Sequence, residues 1–324
     1  MAVLQNYIML RKIYKFFVLK SEKKLSFKLN DILEKLDFKN ITLIDVGAAG
    51  DIIPRWKRIE KYLTYHGFEP DKRSRDKLLK KGNNCKSYII HDKIVSNKLS
   101  EKKIYLCKHP QNSSTYKPNE LVYKFFPFPE RFEIKKEIFI KTTTLDNINL
   151  VSSDFIKLDI QGGELEALKG SEKTLRKTLG LEVEVEFVEV YKNQPLFDKI
   201  FKFLESKEFV FIDFPRIVRW ERDNLYSSLG QMTWADALFL RTPEYIVEKY
   251  NDETVLKKYI VICIIYNKFD FVKQVCEHIK IEPIILKKIS KLRKDLYKRH
   301  VLKKQFNYLL EMFNFRGEEI HNVH

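Results

Sequence analysis

Two groups of residues in this 324-residue chain have types and spacings suited to chemistry. The first is Asp45-Val46-Gly47-Ala48-Ala49-Gly50, with Glu69 following 19 residues after Gly50. The apolar run ITLIDV leads into it, so both glycines fall in a turn after a strand. There the missing Cβ lets the backbone pass close to a ligand. Glu69 closes a second strand-like run, and a carboxylate at that end of a parallel strand accepts hydrogen bonds from both ribose hydroxyls. Neither G-x-G-x-x-G nor the phosphate loop G-x-x-x-x-G-K-[ST] is present. Asp51 stands where a helix N-terminus would otherwise welcome a pyrophosphate. The pattern predicts a nucleoside cofactor without phosphates. S-adenosylmethionine has none, and its cationic amino and sulfonium groups suit Asp45 and Asp51. The bland alternative is a tight structural turn.

The second group is built on Asp159, which ends the run FIKLD before the turn QGGE. Lys157 precedes it by two residues, and Glu164 opens the helix-like stretch that follows. Further on, Glu184 and Glu186 alternate with Val183, Val185 and Phe187. Central parallel strands are usually apolar on both faces, so acids on one face indicate a cleft, a partner such as Lys157, or an edge position. A sulfonium methyl is already electrophilic; the protein must align a nucleophile with it and manage one proton. Asp159 is the expected base or substrate orienter, with Lys157 beside it and Glu184 and Glu186 lining the acceptor pocket. Two alternatives stay open: a purely structural Lys157–Asp159 ion pair, and Mg²⁺ held by Asp159 and a Glu. No metal ligand is assigned. Asp92, after the third strand-like run, is a candidate for the adenine amino group. Ser114 is a candidate cofactor or acceptor contact, or part of a plain polar loop. His66 reads as a core histidine. Trp234 is a core ring or a platform for a sugar.

The surrounding pattern supplies the elements these residues need. From Ile41 onward, apolar runs alternate with helix-like stretches: ITLIDV, a helix over Ile52 to Tyr62, YHGFEPD, a helix over 71–81, and KSYII. This β-α-β-α-β rhythm predicts a parallel sheet. Residues 94–140 break it with hairpin-like and Pro- and aromatic-rich pieces, read as an insertion or lid. The rhythm returns at DFIKLDIQGGELEALKG and continues through LEVEVEF, a helix over Leu196 to Glu205, FVFIDF and WADALFL. Residues 1–40 read as amphipathic helix, with Leu25, Leu29, Ile32, Leu33 and Leu36 at helical spacing. Alternatively, Asn30 or Asp31 caps a separate short helix. Residues 243–324 read as helices only. The expected organisation is therefore 1–40 helical, 41–242 catalytic and 243–324 a basic helical extension.

Composition sets bounds on function. With 44% hydrophobic and 32% charged residues, the chain is globular rather than disordered. Its four scattered cysteines fit reduced thiols better than a disulfide framework or a zinc site. The N-terminal stretch does not read as a signal peptide, and no apolar run has the length of a membrane span. The expected location is cytoplasmic, with peripheral contact at the inner face of a membrane as an option. The net charge of +16 is either a plain solvated surface or a basic face for an anionic partner. Its densest run, Lys287 to Lys304, holds nine Lys/Arg and one acid. That run is a candidate contact for anionic membrane or for a glycan-assembly partner.

Taken in order, these blocks resemble the FkbM-type methyltransferase family over roughly 41–242. DVGAAGD is similar to that family's cofactor loop, and FEPD to its ribose-binding acid. QNSST resembles its serine-containing loop, and TTLDNI precedes the fourth parallel strand as in the family. DFIKLDIQGGELEALKG resembles its most distinctive block, and EVEFVEVYKNQPLF and GQMTWADALFLR resemble its distal strands. Ala49 stands where many members carry Asn, and Gly163 where Ala is common; both are small. The resemblance implies a Rossmann-like doubly wound α/β methyltransferase core, flanked here by N- and C-terminal helical extensions. It also implies S-adenosylmethionine as methyl donor and O-methylation of hydroxyls on sugars or natural products. A small-molecule or glycan acceptor is thus expected. An RNA methyltransferase is the first alternative, but no aromatic platform or known RNA-binding module accompanies the positive charge, so a nucleic-acid partner is not expected. A non-catalytic protein with a relic core is the second, and the retention of Gly47, Gly50, Glu69 and Asp159 argues against it.

Overall fold

The structure is a computed structural model that describes residues 20–148, 152–222, 225–226 and 230–312. Expectations for residues 1–19 and 313–324 lie outside the described residues. The chain divides into two compact units. One holds residues 40–53 and 60–251, the other residues 1–39, 54–59 and 252–315.

The first unit carries the strands: β1 (Ile41–Val46), β2 (Leu63–Phe68), β3 (Ser87–His91), β4 (Ile94–Val95), β5 (Glu101–Cys107), β6 (Ile134–Thr143), β7 (Phe155–Leu158), β8 (Gly180–Glu186), β9 (Val210–Glu221), β10 (Leu225–Tyr226) and β11 (Gln231–Leu240). Eight form one sheet in the order β10-β9-β11-β8-β7-β1-β2-β3. β3, β2, β1, β7 and β8 run parallel, and β11 is inserted antiparallel between β8 and β9. From β1 the chain builds outward to β2 and β3, then crosses back to place β7 on β1's other side. This is a Rossmann-like doubly wound arrangement, whose switch point lies between the carboxyl ends of β1 and β7. All six residues of β1 and all four of β7 are buried, as expected for central parallel strands. The core joins Ile44, Val46, Ile156, Leu158, Val183 and Val185 from three adjacent strands.

The insertion forms a second sheet, β4-β6-β5, in which β5 pairs antiparallel with β6. Its Pro- and aromatic-rich part makes two short turns of helix, Glu120–Tyr123 and Pro129–Phe132. Phe126 and Phe132 pack there with Tyr191 and Trp220.

Two local expectations need correction. The single helix expected over Ile52 to Tyr62 is two pieces, Pro54–Lys57 and the 3-10 turn Glu60–Tyr62, and β2 starts immediately after. Proline starts a helix readily but cannot continue one from before. Nor does Asn30 or Asp31 begin a helix, because residues 20–35 form one unbroken helix. Asn30 donates instead to the carbonyls of Ser26 (2.7 Å) and Arg58 (3.1 Å).

The second unit is helical throughout its described residues. Helix 20–35 joins helices Glu253–Ile265, Phe269–His278 and Pro283–Met312. Described residues 20–39 and 252–312 of the expected extensions belong to this unit, whereas helix Pro243–Lys249, expected in the C-terminal extension, belongs to the strand-bearing unit. Residues Tyr259 to Ile265 are buried without exception. Among the described residues, no helix is long and apolar enough to cross a membrane.

Candidate active site

The turn after β1 is held by backbone alone. Gly47 and Ala48 both donate to the carbonyl of Phe68 at 3.0 Å, and Asp159 N–H donates to Val46 at 2.9 Å. This clamps the loop between the ends of β2 and β7. Gly47 has φ +90°, and a Cβ added there would lie 1.8 Å from the Asp159 carbonyl oxygen. The protein's own packing therefore demands Gly47. Gly50 differs: an added Cβ would meet nothing within 4 Å, so the space it faces is open. Ala48 is buried, and its Cβ lies close to Gly67 of β2.

Asp45 and Glu69 flank this opening, both 4% exposed. Asp45 accepts a 2.8 Å hydrogen bond from the Tyr65 hydroxyl, and its other oxygen lies 3.5 Å from Lys157 Nζ. Glu69 follows β2 directly and accepts from the Asp71 N–H at 2.7 Å. Burial pushes its carboxyl up to about 7, opposed by that hydrogen bond and reinforced by the nearby charge of Asp71. Asp51 is ion-paired with Lys81 at 2.7 Å.

On the other side of the switch point lies a connected group of acids. Asp159, just past β7, keeps a third of its side chain open (35%). Lys157 Nζ lies 3.2 Å from it, so this lysine bridges Asp45 and Asp159. Glu182, Glu184 and Glu186 occupy one face of β8 and are buried, although β8 is an inner strand. Lys157 is the register partner of Glu182 across β7 and β8. The acidic face is not at a sheet edge, and the ion pairs of Lys157 run to Asp45 and Asp159.

Protonation separates these acids. Burial opposes charge on Asp159. Lys157, together with hydrogen bonds from Glu184, Gln161 and Lys157, outweighs it and holds this carboxyl below the usual range. Burial and then the charge of Asp159 drive Glu184 well above it. Burial, with Glu164 and Asp159 next, does the same to Glu186. Asp236 on β11, the register partner of Glu184, rises to about 7 through burial and Glu182. Lys157 resists desolvation because Asp159 and Asp45 raise its pKa. Asp159 is thus the partly exposed acid held low, while the buried Glu184 and Glu186 are pushed towards the neutral form. Pairs of acids pushed apart in this way mark sites of proton chemistry.

Gln161 organises the group, and the sequence reading missed it. Its Nε2 donates to Asp159 Oδ1 at 3.1 Å and also to Glu184. Its Oε1 lies 2.8 Å from the hydroxyl of fully buried Tyr191. Gln161 (φ +58°) and Gly162 (φ +100°) are successive left-handed residues. Glu164 holds that turn shut by accepting from Ile160 N–H (2.7 Å) and Gly162 N–H (2.9 Å). Two unlike residues adjoining a β-α turn, glutamine then glycine, were the available signal.

Ser114 and Asp92, the other expected contacts, have different surroundings. Ser114 is buried, and its hydroxyl donates to the Gln161 carbonyl at 2.6 Å and accepts from Tyr116 N–H at 2.9 Å. These hydrogen bonds tie it to the turn at Gln161. Asp92 is exposed beyond β3, two strands from β1. His66 is half-buried, with its ring stacked on that of His91. Trp234 is half-buried under the Arg216 guanidinium, 4.5 Å from its ring centroid. Among the described residues, no three His, Cys, Asp or Glu side chains are grouped to hold a metal ion.

The donor set fits S-adenosylmethionine: open space over Gly50, a carboxylate for the ribose at Glu69, and acids rather than phosphate-binding cations around the loop. Sheet order and site together define the Rossmann-like core of a nucleoside-dependent methyltransferase. The profile of the Methyltransferase FkbM domain matches residues 45–211, just over half of the chain, and the chain belongs to the FkbM methyltransferase family. S-adenosylmethionine is the cofactor of that family's chemistry. Among curated proteins, none matches the chain significantly. Among solved structures it is similar to an FkbM methyltransferase from Methylobacillus flagellatus KT, at 16% identity and TM-score 0.38. That match covers 62% of this chain and 43% of that one, so the chain spans less than half of its length. It is also similar to magnesium protoporphyrin IX methyltransferase from Synechocystis PCC 6803 with bound SAM (10% identity, 68% and 79% covered, TM-score 0.34). A third is precorrin-6y C5,15-methyltransferase from Geobacter metallireducens GS-15 (12% identity, 66% and 87% covered, TM-score 0.34).

Proposed function

We propose that this protein transfers a methyl group from S-adenosylmethionine to a hydroxyl of a sugar or glycan. The observation that carries the reading is Asp159, paired with Lys157 yet partly exposed, beside the buried Glu184 and Glu186. Such a wall suits a neutral, hydroxyl-rich acceptor. An anionic acceptor would meet Asp159 with like charge, at a penalty that is severe out of water.

Glu69 holds the ribose hydroxyls, and the backbone of 47–50 lines the cofactor's path. Asp45, which shares its charge with Lys157, faces the cationic end. The cofactor supplies an electrophilic methyl group. Asp159 orients the acceptor hydroxyl by accepting its proton in a hydrogen bond. A carboxylate with a low pKa suffices for this, because the oxygen becomes a strong acid only as its bond to carbon forms. Gln161 keeps Asp159 aimed, and protonated Glu184 stabilises its charge. Lys157 acts on both halves of the site as a positioning residue.

Calorimetry of S-adenosylmethionine against the wild type and Glu69→Ala tests the first half. The expected result is binding that weakens about tenfold or more in the variant, from the loss of hydrogen bonds to a charged group. Labelled methyl transfer to neutral saccharides, amines and RNA tests the second half. Transfer to amines or RNA in preference to saccharides would refute the sugar reading. Absence of cofactor binding to the folded wild type would refute both.

A further inference from the structure

We propose that the helical unit docks on an anionic phospholipid bilayer through the outward face of helix Pro283–Met312. The described residues of this unit hold 23 Lys and Arg against 11 Asp and Glu, out of 60 and 44 in the chain. Most of the net positive charge therefore sits in its helices.

The helix separates its cations by face. Ile285, Ile289 and Leu292 are buried. Next to them, Lys288 pairs with Asp31 and Arg299 with Glu22, while Asp295, the acid within the basic run, pairs with Lys28. Each of these pairs lies between this helix and helix 20–35, so the acid and those two cations are engaged inside the unit. The opposite side carries Lys287, Lys291, Lys294 and Lys298, with Arg293 and Lys304 at its borders, all exposed. No acid lies among them.

Apolar side chains stand out from the same helix. Tyr297 is 69% exposed, Leu302 65% and Ile284 55%. A plain solvated face has no use for three large apolar groups between lysines, and a phosphate backbone gains nothing from leucine or isoleucine. An interface of anionic headgroups over acyl chains rewards both kinds: lysines reach the phosphates while the apolar groups enter the boundary. The sequence of residues 1–19 is likewise apolar and basic. Fourteen are apolar, and the charged ones are Arg11, Lys12 and Lys15.

The test is cosedimentation of the full chain with vesicles of phosphatidylcholine alone and of phosphatidylcholine mixed with phosphatidylglycerol. Binding is expected to the mixed vesicles only, falling with added salt. Each lysine near an anionic surface strengthens binding about fivefold. The variant Lys287→Gln/Lys291→Gln/Lys294→Gln/Lys298→Gln should therefore lose roughly a hundredfold or more. Tyr297→Ser/Leu302→Ser should lose about tenfold from the apolar area withheld from water. Both leave the inner ion pairs intact; unchanged helicity and cofactor binding show that they fold. Failure of the wild type to bind mixed vesicles at low salt would overturn the proposal. So would equal binding to neutral vesicles, or undiminished binding by the fourfold variant. Preferential binding to nucleic acid, indifferent to Tyr297 and Leu302, would replace the bilayer with a polynucleotide.

Discussion

Replacing Lys157 with Met tests the physical reading of the site most directly. Its Nζ lies 3.5 Å from Asp45 and 3.2 Å from Asp159, and its side chain is 11% exposed. Methionine fills nearly the same volume, so the variant opens little cavity and removes mainly the charge. Two acids then face each other in a poorly solvated space. Removing one partner of a buried pair typically destabilises by about 3–5 kcal/mol. For a domain of this size that lowers the melting temperature by roughly 10 °C. The effect should depend on pH in a definite direction. In the wild type, Asp159 is held below the usual range. Its contribution is therefore present at neutral pH and lost as pH falls below the ordinary Asp value near 4. The contribution of Lys157, whose pKa is raised, is present below the ordinary Lys value near 10.4 and lost only above it. Without the lysine, burial raises the Asp159 pKa against only the hydrogen bonds from Glu184 and Gln161. The deficit of the variant should thus be largest near pH 8 and shrink towards pH 5, as the acids take up protons. Adding Asp45→Asn should recover at least half of it. Thermal melts across pH measure all three. A deficit below about 1 kcal/mol, or one that does not vary with pH, would refute the bridging role. Lost methyl transfer with unchanged melting would mean that Lys157 acts on the substrate.

The two loop glycines should behave differently. Gly47→Ala sets a Cβ against a backbone oxygen at positive φ, and should cost about 2 kcal/mol or more along with cofactor binding. Gly50→Ala should melt like the wild type yet bind cofactor more weakly in calorimetry, because the space its Cβ enters belongs to the ligand. Gln161→Ala should lower the rate of methyl transfer tenfold or more, with the cofactor Kd within about threefold of the wild type, since its bonds reach the acids and not the loop. Equal losses in rate and affinity would contradict that placement. Glu69 and Glu164 are raised to about 7, and Glu184 and Glu186 are raised well above the ordinary Glu value. The folded protein therefore keeps protons that the unfolded chain releases above the ordinary Glu value, and this part of its stability is lost as pH rises through about 7. Melts of the apo protein should fall between pH 5.5 and 8, and Glu184→Gln should flatten that slope.

Much of the cofactor half was legible along the chain. Asp45, Gly47, Gly50 and Glu69 lie at strand ends within one β-α-β stretch, and the alternation of apolar runs locates such ends without knowledge of the fold. The order of blocks carried the family and the doubly wound core in the same way. The broken helix over Ile52 to Tyr62 was harder, because Pro54 starts a helix as readily as it interrupts one.

The acid group around Asp159 required the tertiary structure. Nothing local to Asp159, Glu184 or Glu186 states which of them keeps its proton. Burial of Glu184 and Glu186, and the placing of Lys157 and Gln161 beside Asp159, decide that, and they arise only when β7, the turn after it and β8 are brought together. Ser114 shows the same limit, since a serine in a polar loop reads alike whether its hydroxyl faces a ligand or the carbonyl of Gln161. The basic run of Lys287 to Lys304 was plain as composition. Division of its cations between inner ion pairs and an unpaired outer face depended on helix 20–35 lying beside it. Local sequence determines where strands end and which residue types stand there. Proton affinity and exposure depend on distance to other charges and to water, and those distances exist only in the folded chain.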